Sequence, residues 1–217
     1  MKQPIRIDFV SDVACPWCAV GLSSLQTALA RLGDTVDAEL VMHPFELNPN
    51  MQDEGEDLVE HISKKYGRTP DQVRQAQGEL RQRGAAVGFT FGTRERIYNT
   101  FDAHRLLHWA GLKGKQVQLK EAFLQSYHGQ GKSTSDHDVL VDAVESVGLD
   151  GAEARAVLQS GQYGDEVRDE EAKFQSLGIN SVPSIIFNER YLLTGAQPAD
   201  AFEKAIRQIM AESVEEK

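Results

Sequence analysis

The chain has 217 residues, 41% of them hydrophobic, enough to bury one substantial core or two small ones. A formal net charge of −10 argues against general binding to nucleic acid or to anionic membranes. No window approaches the roughly 20 apolar residues of a membrane span, and Met1-Lys2-Gln3-Pro4 leads into a strand pattern without an apolar signal segment. The expected compartment is therefore the cytoplasm, where thiols stay reduced.

Ile5-Arg6-Ile7-Asp8-Phe9 alternates apolar and polar as a half-buried strand does, and Ser11-Asp12 breaks the pattern. The chain's two cysteines follow in Cys15-Pro16-Trp17-Cys18. A helix begins there, because Cys18, Leu22, Leu25, Leu29 and Leu32 form an apolar stripe at helical spacing and Gly33 suits a helix C-terminus. With Cys15 at the N-cap and Pro16 at the first helical position, the sulfur meets the positive end of the helix and is placed to accept a backbone N–H. The dipole is worth at most about 2 kcal/mol, or ~1.5 pKa units, so a larger stabilisation of the thiolate needs hydrogen bonds as well. Cys15 is expected to be the exposed, low-pKa nucleophile and Cys18, on the leucine stripe, the buried resolving thiol.

A CxxC pair also serves as half of a zinc site, and His104 and His108, an i, i+4 pair, offer two further ligands. The 85 residues between Cys18 and His104 weigh against that reading. A purely structural disulfide across so short a loop constrains little. No metal or organic cofactor is expected.

Residues 36–45 read as a second strand with Pro44 near its end. From about 51 to 159 the pattern is helical, interrupted by stop signals, and only 84–93 reads as loop or extended. Gly67 ends one helix, and Thr69-Pro70-Asp71 opens the next as cap, first-position proline and first-turn acid. Further helices are expected over 99–111, 115–128 and 136–148, the last opened by Ser135 and Asp138 as a capping box. A charged helix over 163–177 stops at Gly178. Ser184-Ile185-Ile186-Phe187 and Tyr191-Leu192-Leu193-Thr194 then form a hairpin about Asn188-Glu189-Arg190, and a helix over 198–210 follows. This order predicts an α/β fold, with residues 1–50 and 161–217 forming one discontinuous domain and 51–160 an inserted helical domain.

The same order, with Val182-Pro183 just before the third long strand, resembles a DsbA-type thioredoxin fold with a large all-helical insertion. Several stretches are similar to the FrnE-like branch of that family: Ser11-Asp12 ahead of Cys-Pro-Trp-Cys, His43-Pro44-Phe45-Glu46-Leu47-Asn48-Pro49, Asn99-Thr100 with Ala103-His104-Arg105, Ser181-Val182-Pro183-Ser184 and Thr194-Gly195-Ala196-Gln197-Pro198. The likeness spans nearly the whole chain. It implies a cis peptide at Val182–Pro183, whose backbone faces the redox pair and holds an incoming polypeptide as an added strand, with Trp17 as an apolar platform. It also implies that the inserted helices cover the redox face, which puts His104 and Asn99 at the border of a substrate groove, and His43 on the same rim.

The activity so implied is thiol–disulfide exchange with protein, peptide or small thiols, with glutathione or a thioredoxin-type protein as reductant. Pro-Trp replaces the Pro-His of DsbA itself, removing a histidine able to pair with the thiolate, so a less extreme oxidant is expected. Kappa-class transferases and hydroxychromene-carboxylate isomerases share the inserted-helix architecture but generally carry serine in place of Cys15. Retention of both cysteines favours redox chemistry over that reading, and a non-catalytic polypeptide-binding or chaperone role is the third.

Overall fold

The β-α-β unit forms as the sequence predicts. β1 (Gln3–Ser11) and β2 (Val36–Pro44) pair in parallel, in register from Gln3 opposite Val36 to Ser11 opposite Pro44, and α1 (Pro16–Leu32) makes the crossover that parallel pairing requires. Cys18, Leu22 and Leu25 of α1 are buried against the sheet, and each leucine contributes about 1.5–3 kcal/mol by leaving water. Gly33 ends the helix with φ of 50°, which a residue with a Cβ rarely adopts. The structure is a computed structural model that describes residues 2–215.

The segment after β2 runs through β3 (Glu56–Asp57), α2 (Leu58–Tyr66), α3 (Pro70–Ala86), β4 (Arg96–Ile97), α4 (Phe101–Leu112), α5 (Gln116–Leu124), α6 (His137–Ser146) and α7 (Gly151–Ser160). Thr69 caps α3 in a full capping box with Gln72, with Pro70 in its first turn as the sequence indicates. Three details differ from the sequence reading. β3 and β4 form a small antiparallel ladder within a segment read as helical. Its strands are charged and too short to show a period, and they meet because Gly55 comes so close to the carbonyl of Ile97 that a Cβ would overlap it. Asp136, rather than Ser135 with Asp138, caps α6, its carboxylate accepting from the N–H groups of Asp138 and Val139. The helix expected over 115–128 stops at Leu124 and continues as one π turn, Gln125–Gly129. Helices α4 to α7 share a core of their own, joined by Val13 from the loop after β1.

The chain returns through α8 (Gly164–Ser176), β5 (Ser184–Phe187), β6 (Tyr191–Thr194) and α9 (Ala199–Glu215). Tyr163 lies in the left-handed region, with φ of 63°, so α8 begins one residue later than the pattern suggests. The sheet order is β2-β1-β5-β6, with β5 antiparallel to both neighbours and the hairpin turning through Asn188 and Glu189 at positive φ. α1 and α9 cover one face, where Ile5, Ile7 and Phe9 pack. On the other face Val10 packs with Phe45, with Phe174 of α8 and with Ile179. β1 is therefore buried on both faces along its second half rather than half buried, which is what a central strand between two helical layers experiences. Among the described residues no helix is long and apolar enough to cross a membrane.

Candidate functional site

Both cysteines are thiols, and they stand where β1 hands over to α1. Cys15 is the N-cap residue, extended at φ −83° and ψ 112°, and Pro16 opens the helix. The turn into it is closed by two backbone bonds: Cys15 N–H donates to the Asp12 carbonyl at 3.3 Å, and Cys18 N–H donates to the Cys15 carbonyl at 3.1 Å.

The sulfur of Cys15 does not cap the helix. Its S–H points across to the loop before β5 and donates to the carbonyl of Val182 at 3.7 Å. A protonated sulfur needs an acceptor, and Val182 offers one, whereas the helix offers only donors. The Val182–Pro183 peptide is cis. Gly21 lets α1 approach this loop, since a Cβ on it would stand 3.2 Å from Pro183 Cγ.

Cys15 is 3% exposed, which corrects the expectation of an exposed nucleophile, while Trp17 beside it is 41% exposed. Burial does not close Cys15 off, because it lines a cavity of about 440 Å³ together with Trp17, Leu47, Asn48 and Val182. Cys18 is sealed completely beneath it. Burial pushes the Cys18 thiol well above its ordinary value, and the hydrogen bond and charge of Cys15 push it the same way, against the charge of Lys120. The two thiols are thus unequal in access, as the leucine stripe indicates for Cys18.

Beneath the pair lies a buried polar layer that the sequence reading does not assemble. Asp12 is fully enclosed; its Oδ1 accepts from Ala14 N–H at 3.1 Å and its Oδ2 from Leu47 N–H at 2.7 Å. His104 Nε2 of α4 stands 3.4 Å from Oδ1. Burial raises the Asp12 carboxyl, but the hydrogen bond and charge of His104 and the two backbone donors outweigh it and hold the group below its ordinary value. Lys120 of α5 is also fully buried; burial lowers its ammonium, while the charges of Cys18, Asp12 and Cys15 support it. His128 donates from Nε2 to the Val13 carbonyl at 2.8 Å, and burial, reinforced by Arg94, drives it well below its ordinary value, so that it stays neutral.

His104 therefore supports the floor of the site and does not border the cavity. Asn99 does not line the cavity either: its side-chain amide donates to the Met51 carbonyl, and its oxygen accepts from Phe101 N–H, holding the entry to α4. His43 is buried between Asp8 and Glu170 at 2.8 and 2.7 Å, beneath α8 rather than on the rim. Each of these three side chains turns inward to a hydrogen-bond partner, as buried polar groups do. His108 stacks on Tyr163 with centroids 5.1 Å apart, so the two histidines weighed as zinc ligands have separate partners. The residues that do wall the cavity opposite Cys15 come from α2 and α3. Their helical charge pattern looks like an ordinary solvated face, so no sequence signal marks them.

A dithiol at a helix N-terminus, one sulfur reachable and facing a cis-proline loop, the other sealed behind it, defines a thioredoxin-type dithiol protein. The chain belongs to the DSBA-like thioredoxin domain family, which matches residues 6–207. It is similar to a probable DsbA oxidoreductase from Streptomyces coelicolor, with 35% identity, a TM-score of 0.90, and coverage of 96% of this chain and 91% of the other. It is also 28% identical to the uncharacterized protein YwbO of Bacillus subtilis over 93% of this chain and 96% of that protein. A solved 2-hydroxychromene-2-carboxylate isomerase shares the fold alone, with 12% identity, a TM-score of 0.76, and coverage of 98% and 99%.

Proposed function

We propose that the protein is a thiol–disulfide oxidoreductase in which Cys15 exchanges with the disulfide of a protein, peptide or small thiol and Cys18 resolves the mixed disulfide. The observation that carries this reading is the asymmetry of the pair: Cys15 lines the cavity and faces Val182, while Cys18 is sealed and its thiol pushed well above its ordinary value.

In the reducing direction, the Cys15 thiolate attacks R–S–S–R′, forming Cys15–S–S–R and expelling R′S⁻. That bond removes the charge and hydrogen bond of Cys15 that disfavour a Cys18 thiolate, and leaves Lys120 to favour it. Cys18 then loses its proton and attacks the Cys15 sulfur, RS⁻ departs, and the enzyme holds a disulfide having given up two electrons. Glutathione or a thioredoxin-type protein would restore the dithiol. The backbone at Val182 would hold an extended client in place of the thiol proton it now accepts.

The fold does not separate this chemistry from that of the isomerase. The second thiol favours redox chemistry, because an isomerase step leaves Cys18 nothing to resolve. A Cys18→Ser variant should accumulate mixed disulfides at Cys15, detected as adducts by mass spectrometry, and Cys15→Ser should abolish turnover. In the reduced wild type, iodoacetamide should label Cys15 and leave Cys18 untouched until the protein is unfolded. Faster labelling of Cys18, or no adduct with any disulfide, would overturn the assignment.

A further inference from the structure

The cavity that Cys15 lines has a character at odds with the rest of the chain. Its wall is apolar where α2 and α3 meet, with Leu58, Ile62, Val73 and Leu80 facing it. Its charged lining is Lys65, Arg68 and Arg94, with the imidazole of His61 beside them, against a single carboxylate, Glu79. The chain as a whole carries −10, so a cationic excess here runs against the average.

These cations are not consumed by neighbouring acids. Among the described residues neither Arg68 nor Arg94 joins an ion pair; Arg94 rests its guanidinium 5.1 Å from the centroid of the Tyr127 ring, and Arg68 is exposed on the loop between α2 and α3. Lys65 donates to the Leu47 carbonyl and Asn48 Oδ1, both neutral acceptors, at 2.6 and 2.7 Å. His61 is different, since Glu56 stands 2.6 Å from its Nδ1. Three cations therefore face one carboxylate around an apolar wall, beside the reachable sulfur, in a volume typical of small-molecule sites.

We infer that this cavity takes a low-molecular-weight disulfide bearing carboxylates, with Arg68 and Arg94 as the residues that select it. The inference rests on the thiol–disulfide reading above and names its substrate class. Guanidinium groups bind carboxylates through paired N–H donors. Held there, the molecule lays its aliphatic part on α2 and α3 and its S–S bond at Cys15. The Cys15 thiolate attacks one sulfur and expels the first carboxylate-bearing thiolate; Cys18 attacks the Cys15 sulfur and expels the second. The disulfide is reduced by two electrons and the pair is oxidised to Cys15–Cys18, which a dithiol such as dithiothreitol reduces again.

The test uses the full chain, fully reduced, in single turnovers followed by mass spectrometry of alkylated protein. Glutathione disulfide is the anionic probe and 2-hydroxyethyl disulfide the neutral one, and the readout is the ratio of their second-order rate constants within each variant, which cancels loss of folded protein. In Arg68→Ala/Arg94→Ala the ratio should fall about tenfold, the loss of two modest charge contacts, and Arg68→Lys should keep most of it. Raising salt from about 0.05 to about 0.5 M should lower the wild-type ratio and leave that of the double variant flat. Should the double variant not fold, Arg68→Ala alone, on an exposed loop, should still lower the ratio several-fold. A ratio insensitive to both substitution and salt overturns the inference. Failure of both disulfides to oxidise the pair overturns instead the thiol–disulfide reading on which it rests.

Discussion

The carboxylate of Asp12 and the imidazole of His104 meet at 3.4 Å, both side chains buried, although they lie 92 positions apart in the chain. This contact ties the loop that carries Cys15 to the first long helix of α4–α7. Asp12 also accepts from Ala14 and Leu47, so one carboxylate fixes the approach to the dithiol from three directions. Asp12→Ala strands those donors, each at about 1–3 kcal/mol, and should lower stability to urea by ~3 kcal/mol or more. His104→Ala, which leaves the backbone donors paired, should cost less, about 1–3 kcal/mol, and leave KM for small disulfides unchanged. A raised KM in His104→Ala would restore it to the groove.

Two buried histidines should give stability opposite dependences on pH. Burial lowers His43, but its bonds to Asp8 and Glu170 prevail and its folded value lies above 6.5; its contribution is fully present below 6.5 and is lost as pH rises through the folded value. His128 lies well below 6.5 in the fold, so the unfolded chain takes up its proton first, and stability is lost as pH falls from 6.5 toward the folded value. Urea titrations across this range should show His43→Gln flattening the alkaline limb and His128→Gln the acid limb. An unchanged profile in His128→Gln would mean that the histidine is not held neutral.

Lys120 is enclosed near three groups that carry or develop negative charge: Cys18, Asp12 and Cys15. A buried ammonium favours the thiolates and hence the reduced pair. Lys120→Met should make the Cys15–Cys18 disulfide harder to reduce by about 30 mV, equivalent to ~1.4 kcal/mol, in equilibrium with a glutathione redox buffer. It should also slow the resolution of mixed disulfides, while the fold loses little because a methionine needs no hydration. A potential shifted upward would contradict this placement of the charge.

Gly21 gives α1 its close approach to the loop that holds Val182. A Cβ there would meet Pro183 Cγ at 3.2 Å and Ala196 Cα at 3.5 Å, so Gly21→Val should cost about 1–3 kcal/mol through overpacking. Because the loop also holds the acceptor of the Cys15 thiol, single-turnover reaction with 2-hydroxyethyl disulfide should slow even under conditions where the variant is fully folded. Wild-type rates would show that the Cys15–Val182 contact tolerates displacement of the loop.

The elements that build the thioredoxin-type sheet are legible in the chain because their signals are local. The stripe from Cys18 to Leu32, the Pro16 start, the hairpin at Asn188-Glu189-Arg190 and, in the insertion, the Thr69-Pro70-Asp71 helix start all act within a few residues, and each holds in the structure. The unequal burial of the two sulfurs is legible in part: helical periodicity seals Cys18, but nothing local says that Cys15 is also covered.

By itself the sequence determined where the long strands of the sheet and most of the helices run, that the two cysteines share the first turn of a buried helix, and which family pattern they follow. Tertiary structure decided what those cysteines face. The Val182 carbonyl, the Asp12–His104 contact, the enclosed Lys120 and the cationic wall of the cavity all join residues tens to more than a hundred positions apart. A side chain's charge and length can be read from one position. Whether it spends them on solvent, on a buried partner or on a reacting sulfur depends on which helix packs against it, and α2 to α5 settle that only when they close over the end of β1.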